Sequence, residues 1–308
     1  MRSFRLVSLV LTGLFFVMVS GSPSHAQATE EWRSWNRAVE PFRIAGNLWY
    51  VGASDITAYL ITTPAGHVIL DGGFVETAPQ VLANVRKLGF DPKDVKYLLN
   101  SHAHMDHAGG LAELKRATGA QLVASAEDAP ALASGGRDDF AWGDTMTFPP
   151  VAVDRRLGDG DTVTVGGTTL VAHLTPGHTR GCTTWSLAIG DEEPRLQALF
   201  LCSVTAPGYR LVGNEKWPEI AEAFEGTFRK LENLPCDYFL AAHGSVFDLE
   251  GKRKRATMGL GVAGGPARGP AAGPANPFLD PSGCRQYLES AKKSFADELA
   301  RQRAAAQP

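Results

Sequence analysis

The sequence predicts an α/β protein folded as a four-layer αβ/βα sandwich, and three features of the chain lead there. Two successive groups of strand-like runs each give way to helix-periodic segments, so each half can pair one sheet face with helices and the other with its partner half. One set of polar motifs is spread over both halves, which argues for one domain over residues 27–308. Titratable residues gather directly after strand-like runs, where the loops of open α/β sheets are free to converge.

The chain opens with residues 1–26, which read as a secretory signal peptide. Met1-Arg2-Ser3-Phe4-Arg5 is basic, an apolar run extends from Leu6 to Val19, and Ser24-His25-Ala26 puts small residues where a signal peptidase reads. The run is too short to cross a bilayer comfortably, and no later segment is long and apolar enough to do so. No cysteine near the cut offers a lipid anchor. A periplasmic protein with no membrane attachment after processing is therefore expected. Removing the leader takes the 30 basic and 33 acidic residues to 28 and 33. That mild negative charge, with no basic run, gives no footprint for nucleic acid or an anionic membrane, so the expected partner is a small molecule; a monomer is expected.

The first half continues with strand-like runs at 48–51, 56–63 and 67–70, separated by Gly- and Pro-containing turns as in an antiparallel meander. Val81, Leu82, Val85 and Leu88 then recur at helical spacing until Gly89. The apolar run 95–99 is a strand, and Leu111, Leu114 and Ala117 mark the next helix. The second half repeats the rhythm with strands at 162–165, 168–174, 183–189 and 197–201. A helix carrying Ile220, Phe224, Phe228 and Leu231 follows, then a strand at 238–241, then a final helix with Leu288, Ala291, Phe295 and Leu299. Residues 256–277, crowded with Gly, Pro and Ala, are expected as a mobile surface loop, and residues 301–308 as a frayed end.

Between strand 95–99 and its helix lies Ser101-His102-Ala103-His104-Met105-Asp106-His107. Four imidazole or carboxylate donors in six residues are far denser than a solvated polar loop requires. Alternation in an extended segment points His102 and His104 the same way, and Asp106 and His107 fall where the chain turns helical. Imidazole with carboxylate suits zinc better than calcium or magnesium. Two later histidines, His178 in Pro176-Gly177-His178 and His243 in Ala241-Ala242-His243-Gly244, also follow strands and would complete two metal positions. His67 and His173 lie within strands and are expected to be structural. Asp71, before Gly72-Gly73, has two readings: a carboxylate that fixes a ligand imidazole's tautomer, or a turn former.

Of the four cysteines, Cys236 stands between a helix and a strand and Cys284 opens the last helix. A bridge between them would staple that helix to the body. Closing the loop is worth about 4 kcal/mol in the chain-entropy model, and two free buried thiols are the alternative in a compartment that permits disulfides. Cys182 is expected to be a small buried residue.

The pattern His-x-His-x-Asp-His with two later histidines resembles the metallo-β-lactamase superfamily over nearly the whole mature chain, and within it the class B β-lactamases of subclass 3. Pro41-Phe42-Arg43-Ile44, Leu70-Asp71-Gly72-Gly73, Ser203-Val204-Thr205-Ala206-Pro207-Gly208-Tyr209 and Asn276-Pro277-Phe278 carry the resemblance further. It implies two zinc ions, one held by His102, His104 and His178, the other by Asp106, His107 and His243. It also implies hydrolysis of the lactam amide of β-lactam antibiotics, carbapenems included, by activated water rather than by a serine, with Asp106 orienting that water. By family position, Ser203 and Thr205 receive the substrate carboxylate and Tyr209 assists at the oxyanion; Ser and Thr before Ala-Pro-Gly can equally be turn formers. Other class B enzymes bind the second zinc through a cysteine near Cys202. Neighbouring strand residues face opposite sides, so Ser203 is expected to face in and Cys202 away. Phe140 and Trp142, in the segment 135–150, are expected either to grip substrate rings or to pack in the core.

Related hydrolases of the superfamily, thioester hydrolases or lactonases, usually bridge their metals with an aspartate at about the position of Ser203. Flavodiiron relatives need an acidic ligand where His104 stands, and the nuclease branch wants basic surface and extra domains. A non-catalytic periplasmic zinc-binding protein would have no use for an open metal position.

Overall fold

The computed structural model describes residues 29–190, 195–258 and 276–306. In chain order the elements are α1 (Glu30–Trp35), β1 (Phe42–Ala45), β2 (Leu48–Tyr50), β3 (Tyr59–Thr63), β4 (Gly66–Leu70), α2 (Ala78–Lys87), β5 (Val95–Leu99), α3 (Met105–Ala108), α4 (Leu111–Thr118), β6 (Gln121–Ser125), α5 (Ala129–Ser134), β7 (Arg155–Leu157), β8 (Thr162–Val165), β9 (Thr168–Leu174), β10 (Thr183–Ile189), β11 (Leu196–Leu201), α6 (Ile220–Leu231), β12 (Tyr238–Ala241), α7 (Leu249–Thr257) and α8 (Pro281–Ala305).

Seven strands, β1 to β7 in sequence order, form one sheet, and β12-β11-β10-β9-β8 form the other. In the first sheet β1 to β4 are an antiparallel meander, while β4 to β7 run parallel because α2, α4 and α5 return the chain. The second sheet is antiparallel except for the β11–β12 pair, whose crossover is α6.

The period-two pleat assigns each strand residue to a layer. Leu60, Ile69, Leu98 and Leu122 pack outward against Val81, Leu82 and Val85 of α2 and Leu111 and Leu114 of α4. Their neighbours Tyr59, Ile61, Val68, Leu70, Leu99 and Val123 face inward, onto Trp185, Leu187 and Phe200 of the second sheet. The other side of that sheet is covered by α6 and α8, where Phe224 and Phe228 meet Phe295. The layers are thus helix, sheet, sheet, helix, as the two-half pattern predicts. Three strands have no clear sequence signal. β7 is only three residues with two exposed arginines, β1 and β6 are short and weakly patterned, and pairing with their neighbours defines all three.

Cys236 and Cys284 are bridged, as expected, at the first turn of α8. Asp280 caps that helix by accepting from Gly283 N, and Pro281 occupies its first turn. Cys284→Ser is expected to cost about 4 kcal/mol of stability in the chain-entropy model; denaturant midpoints of oxidised protein and variant check it. Cys182 is not a lone buried thiol: it is bridged to Cys202. The two are separated by 20 residues in sequence but meet because the start of β10 lies beside the end of β11, an adjacency set by sheet pairing.

Two boundary expectations are corrected. The end expected to fray is helical to Ala305, because the Gln302 amide satisfies the 209–212 loop: it donates to Tyr209 O (2.8 Å) and accepts from Leu211 N (2.7 Å). Of the segment 256–277, Ala256 and Thr257 end α7 and Asn276 fixes a turn by donating to Ile44 O and accepting from Phe278 N; residues 259–275 lie outside the described residues, as do residues 1–26, expected as a signal peptide. No helix among the described residues is long and apolar enough to cross a membrane.

Candidate active site

The candidate site lies at one end of the two sheets, where the chain leaves β5, β9, β11 and β12. β5 ends at Leu99; the chain bends at Ser101, Ala103 and His104, and His104, itself extended at φ −103° and ψ 156°, starts α3. His178 leaves β9 through Gly177, whose φ of 144° suits glycine alone and where a Cβ would come within 2.6 Å of the Phe224 ring. His243 follows β12, which Tyr59 and Thr57 pin by donating to Ala241 O at 2.7 and 2.8 Å.

These loops bring the expected ligands together. His104 Nδ1 is 3.1 Å from His178 Nε2, and His102, His104 and His178 have nitrogens all within 4.8 Å of one another. In the second group, His107 Nε2 is 3.2 Å from His243 Nε2, and Asp106 Oδ2 is 3.2 Å from the first and 3.3 Å from the second. Donors ~2.0–2.1 Å from a tetrahedral ion sit ~3.3 Å apart. The Asp106, His107, His243 triangle has that size on every edge, so the donor set fits a zinc-like ion.

Hydrogen bonding behind the rings decides which nitrogen faces the cleft. The Ser101 hydroxyl donates to Asp71 Oδ2 at 2.6 Å, so it can only accept from His102 Nδ1 at 3.0 Å, which leaves Nε2 unprotonated. His178 Nδ1 donates to Thr205 O at 2.8 Å and His243 Nδ1 to Asp55 Oδ2 at 2.9 Å, again freeing Nε2. Asp71 touches the ligand loop and its own turn at once. It acts on His102 through Ser101, lies 3.6 Å from His107 Nδ1, and holds the turn at φ 64° by accepting from Ser101 N and Asn100 Nδ2.

Burial, then the neighbouring imidazoles, holds the pKa of His102 well below the ordinary value, and that of His178 likewise. Burial lowers His104 to about 4, against the opposing charge of Asp106. For His107 burial works the other way from the outcome: Asp106 and Asp71 outweigh it and push the pKa up to about 10. His243 is also raised, by Asp106 and Asp55 against its burial. Asp106 is held well below the carboxylate range, since His107 and His243 outweigh the burial that opposes its ionisation.

The cleft over these groups has a volume of about 370 Å³. Trp142 borders it, its ring 4.8 Å from that of His104, as do Ser203 and Thr205, whose hydroxyls are 3.0 Å apart. Two expected residues lie elsewhere. Tyr209 is 2% exposed and its hydroxyl donates to His178 O at 2.9 Å, so it supports the ligand loop from behind. Phe140 packs edge-on against Tyr209 and Trp217, the core arrangement of the two foreseen for it. The strand argument that sent Cys202 away from the cleft also fails, because β11 stops at Leu201. Cys202 and Ser203 both border the cleft, and the Cys202 sulfur, tied up in its disulfide, lies 3.7 Å behind His102 Nδ1.

Sequence reasoning missed Asp55, Asp128, Trp32 and Trp35. Asp55 and Asp128 sit in no recognisable motif and reach the site only through tertiary contacts. Trp32 and Trp35 recur at i, i+3 on α1, a periodicity that could have flagged one face of a helix; both line the cleft, and Trp35 meets the His243 ring edge-on at 5.5 Å.

The family model described as metallo-beta-lactamase superfamily matches residues 51–191. The chain is 32% identical over 171 residues to N-acyl homoserine lactonase AttM of Agrobacterium fabrum, covering 45% of this chain and 61% of that protein, so it spans only part of the length of that curated relative. Among solved structures, the FEZ-1 metallo-beta-lactamase from Legionella gormanii is 40% identical, with a TM-score of 0.80 over 87% of this chain and 98% of its own. BJP-1, a subclass B3 metallo-beta-lactamase of Bradyrhizobium japonicum, is 37% identical, with a TM-score of 0.77 over 89% and 98%. A donor set of this geometry, on this fold and with these relatives, means that the chain belongs to the metallo-β-lactamase superfamily, alongside the class B3 metallo-β-lactamases.

Proposed function

We propose that the protein is a periplasmic, monomeric β-lactamase that holds two zinc ions and hydrolyses β-lactams, carbapenems among them. His102, His104 and His178 would hold one ion, and Asp106, His107 and His243 the other. When bound, the pair supplies Lewis acidity and acidifies water. The protein's own groups bind and orient the substrate. Ser203 and Thr205 offer hydroxyls to a substrate carboxylate at the rim, Trp142 gives an apolar wall, and ionised Asp106 accepts a hydrogen bond from water and so aims it.

The observation that carries this reading is the hydroxyl of Ser203 at the cleft. A lactonase or thioester hydrolase of this superfamily would be expected to place a metal-bridging carboxylate there, and Asp106 is the one carboxylate lining the cleft among the described residues. Zinc-loaded and chelated protein assayed on a carbapenem, an N-acyl homoserine lactone and a glutathione thioester tests it. Zinc-dependent opening of the lactam supports the proposal; turnover of the lactone or thioester alone sinks it. Ser203→Ala is expected to raise KM for a carboxylate-bearing lactam roughly tenfold with kcat little changed, since a hydrogen bond to a charged group is worth ~1.5 kcal/mol.

Metal uptake should be pH-dependent in an unequal way. His102, His104 and His178 are neutral before binding, so filling their position releases few protons at pH 7. His107, its pKa pushed up to about 10, must lose a proton, and the upward shift of His243 adds to the proton release at this position. Affinity at Asp106, His107 and His243 should therefore fall as pH drops. Calorimetry in buffers of different ionisation enthalpy measures the protons released, and equal release for both zinc equivalents would contradict the assignment.

A further inference from the structure

We propose that Asp128 is the positioning residue that locks the loop of His102 and His104 to the loop of His178, and so sets the spacing of the first metal position. This rests on the zinc reading above but not on any particular substrate. Asp128 stands between β6 and α5, far in sequence from every proposed ligand, and is 3% exposed. Its Oδ2 accepts from Ala103 N at 3.0 Å and from the Thr179 hydroxyl at 2.8 Å. Its Oδ1 accepts from Gly181 N at 2.7 Å.

Each partner adjoins or nearly adjoins a ligand. Ala103 is the residue between His102 and His104, and Thr179 follows His178. One carboxylate therefore spans the two chain segments that bring the three imidazoles together. The arrangement is built for this use. Asp128 occupies the N-cap position of α5, where an aspartate ordinarily accepts from its own helix, yet its side chain makes no capping bond. Its own N–H donates to Ser125 Oγ at 3.1 Å, which fixes the direction of approach. A Cβ on Gly181 would collide with Ser125 Oγ and with Asp128 N, so the residue at 181 must be glycine for the loop to come this close.

No Lys, Arg or His among the described residues pairs with the Asp128 carboxylate; three neutral donors hold it instead. A buried carboxylate without a cation is costly, and a divalent ion in the adjoining imidazole triad would provide the missing opposite charge across a single peptide unit. Asp128 would thus contribute both geometry and field to the first position, whereas Asp106, His107 and His243 receive no bond from it.

The test is zinc affinity, measured by competition with a chromophoric chelator at a temperature where each protein is folded, for the purified chain and for D128N and T179V. An asparagine can accept at one atom only, so D128N leaves at least one donor facing an NH2 group. The first zinc equivalent is expected to bind roughly 10- to 100-fold more weakly in D128N, the range for groups that orient metal ligands, with a smaller loss in T179V and less change in the second equivalent. A purely structural role would lower Tm without moving zinc affinity in the folded protein. First-equivalent affinities within about twofold of the unaltered chain overturn the proposal, and if D128N does not fold, T179V alone decides by the same criterion. An unaltered chain that takes up no zinc overturns this proposal and the zinc reading together.

Discussion

His102→Ala is expected to abolish zinc-dependent lactam hydrolysis to within detection, a fall of roughly 100- to 1000-fold or more, and to lower bound zinc from two equivalents to one. The reason is the central place of this ring. Its centroid lies 4.9, 4.3 and 4.7 Å from those of His104, His107 and His178, so it joins the two halves of the site. Losing the positioned Lewis acid forfeits several kcal/mol of transition-state stabilisation, and each ~1.4 kcal/mol is tenfold in rate. Metal analysis of the purified variant, with steady-state rates at saturating zinc, checks both outcomes. A variant that keeps two zinc equivalents and near-normal kcat would remove His102 from the ligand set.

Asp71→Ala is expected to cost ~4 kcal/mol of stability. Asp71 is 1% exposed and accepts from Asn100 Nδ2, Ser101 N and Ser101 Oγ at 3.1, 2.7 and 2.6 Å. Its removal strands buried donors at ~1–3 kcal/mol each before relaxation. At ~2–4 °C per kcal/mol for a chain somewhat shorter than this one, the loss in Tm is on the order of 10 °C. Ser101, no longer held as a donor to a carboxylate, would also stop fixing the His102 tautomer, so zinc affinity should fall with stability. Asp71→Asn separates the two effects. Asparagine tolerates the left-handed backbone at φ 64°, so it should recover much of the stability while leaving zinc binding weakened. Thermal melts of the metal-free variants, paired with chelator competition, check this; equal Tm for Asp71→Ala and the unaltered chain would refute it.

Much of the site was legible because it is local. His102 to His107 occupy one strand-to-helix turn, so the close spacing of the donors in sequence is enough to bring them together. His178 and His243 could be read for the same reason: each directly follows an apolar strand, and strand ends on one edge of a sandwich must converge. Trp142 was singled out as an aromatic in the polar segment 135–150, with core packing as the alternative, and it borders the cleft.

The residues misread are those whose neighbours come from far along the chain. Tyr209 looks like a substrate contact by position, but its surroundings are set by the His178 loop, and Phe140 took the core reading of its two because an aromatic ring goes wherever most apolar area is buried. Cys202 was placed by strand alternation, which holds only while pairing continues, and β11 ends one residue earlier. Its bridge to Cys182 needed the register of β10 against β11.

By itself, then, the sequence determined the layer order and singled out six candidate donors and a possible Cys236–Cys284 staple, because hydrophobic period, turn chemistry and ligand spacing are properties of contiguous residues. Only the tertiary structure decided which imidazole nitrogen faces the cleft, which aromatics line it, and that Asp55 and Asp128 stand behind the ligands. Those features depend on hydrogen bonds between segments tens to hundreds of residues apart, and such partners leave no periodic trace in the sequence.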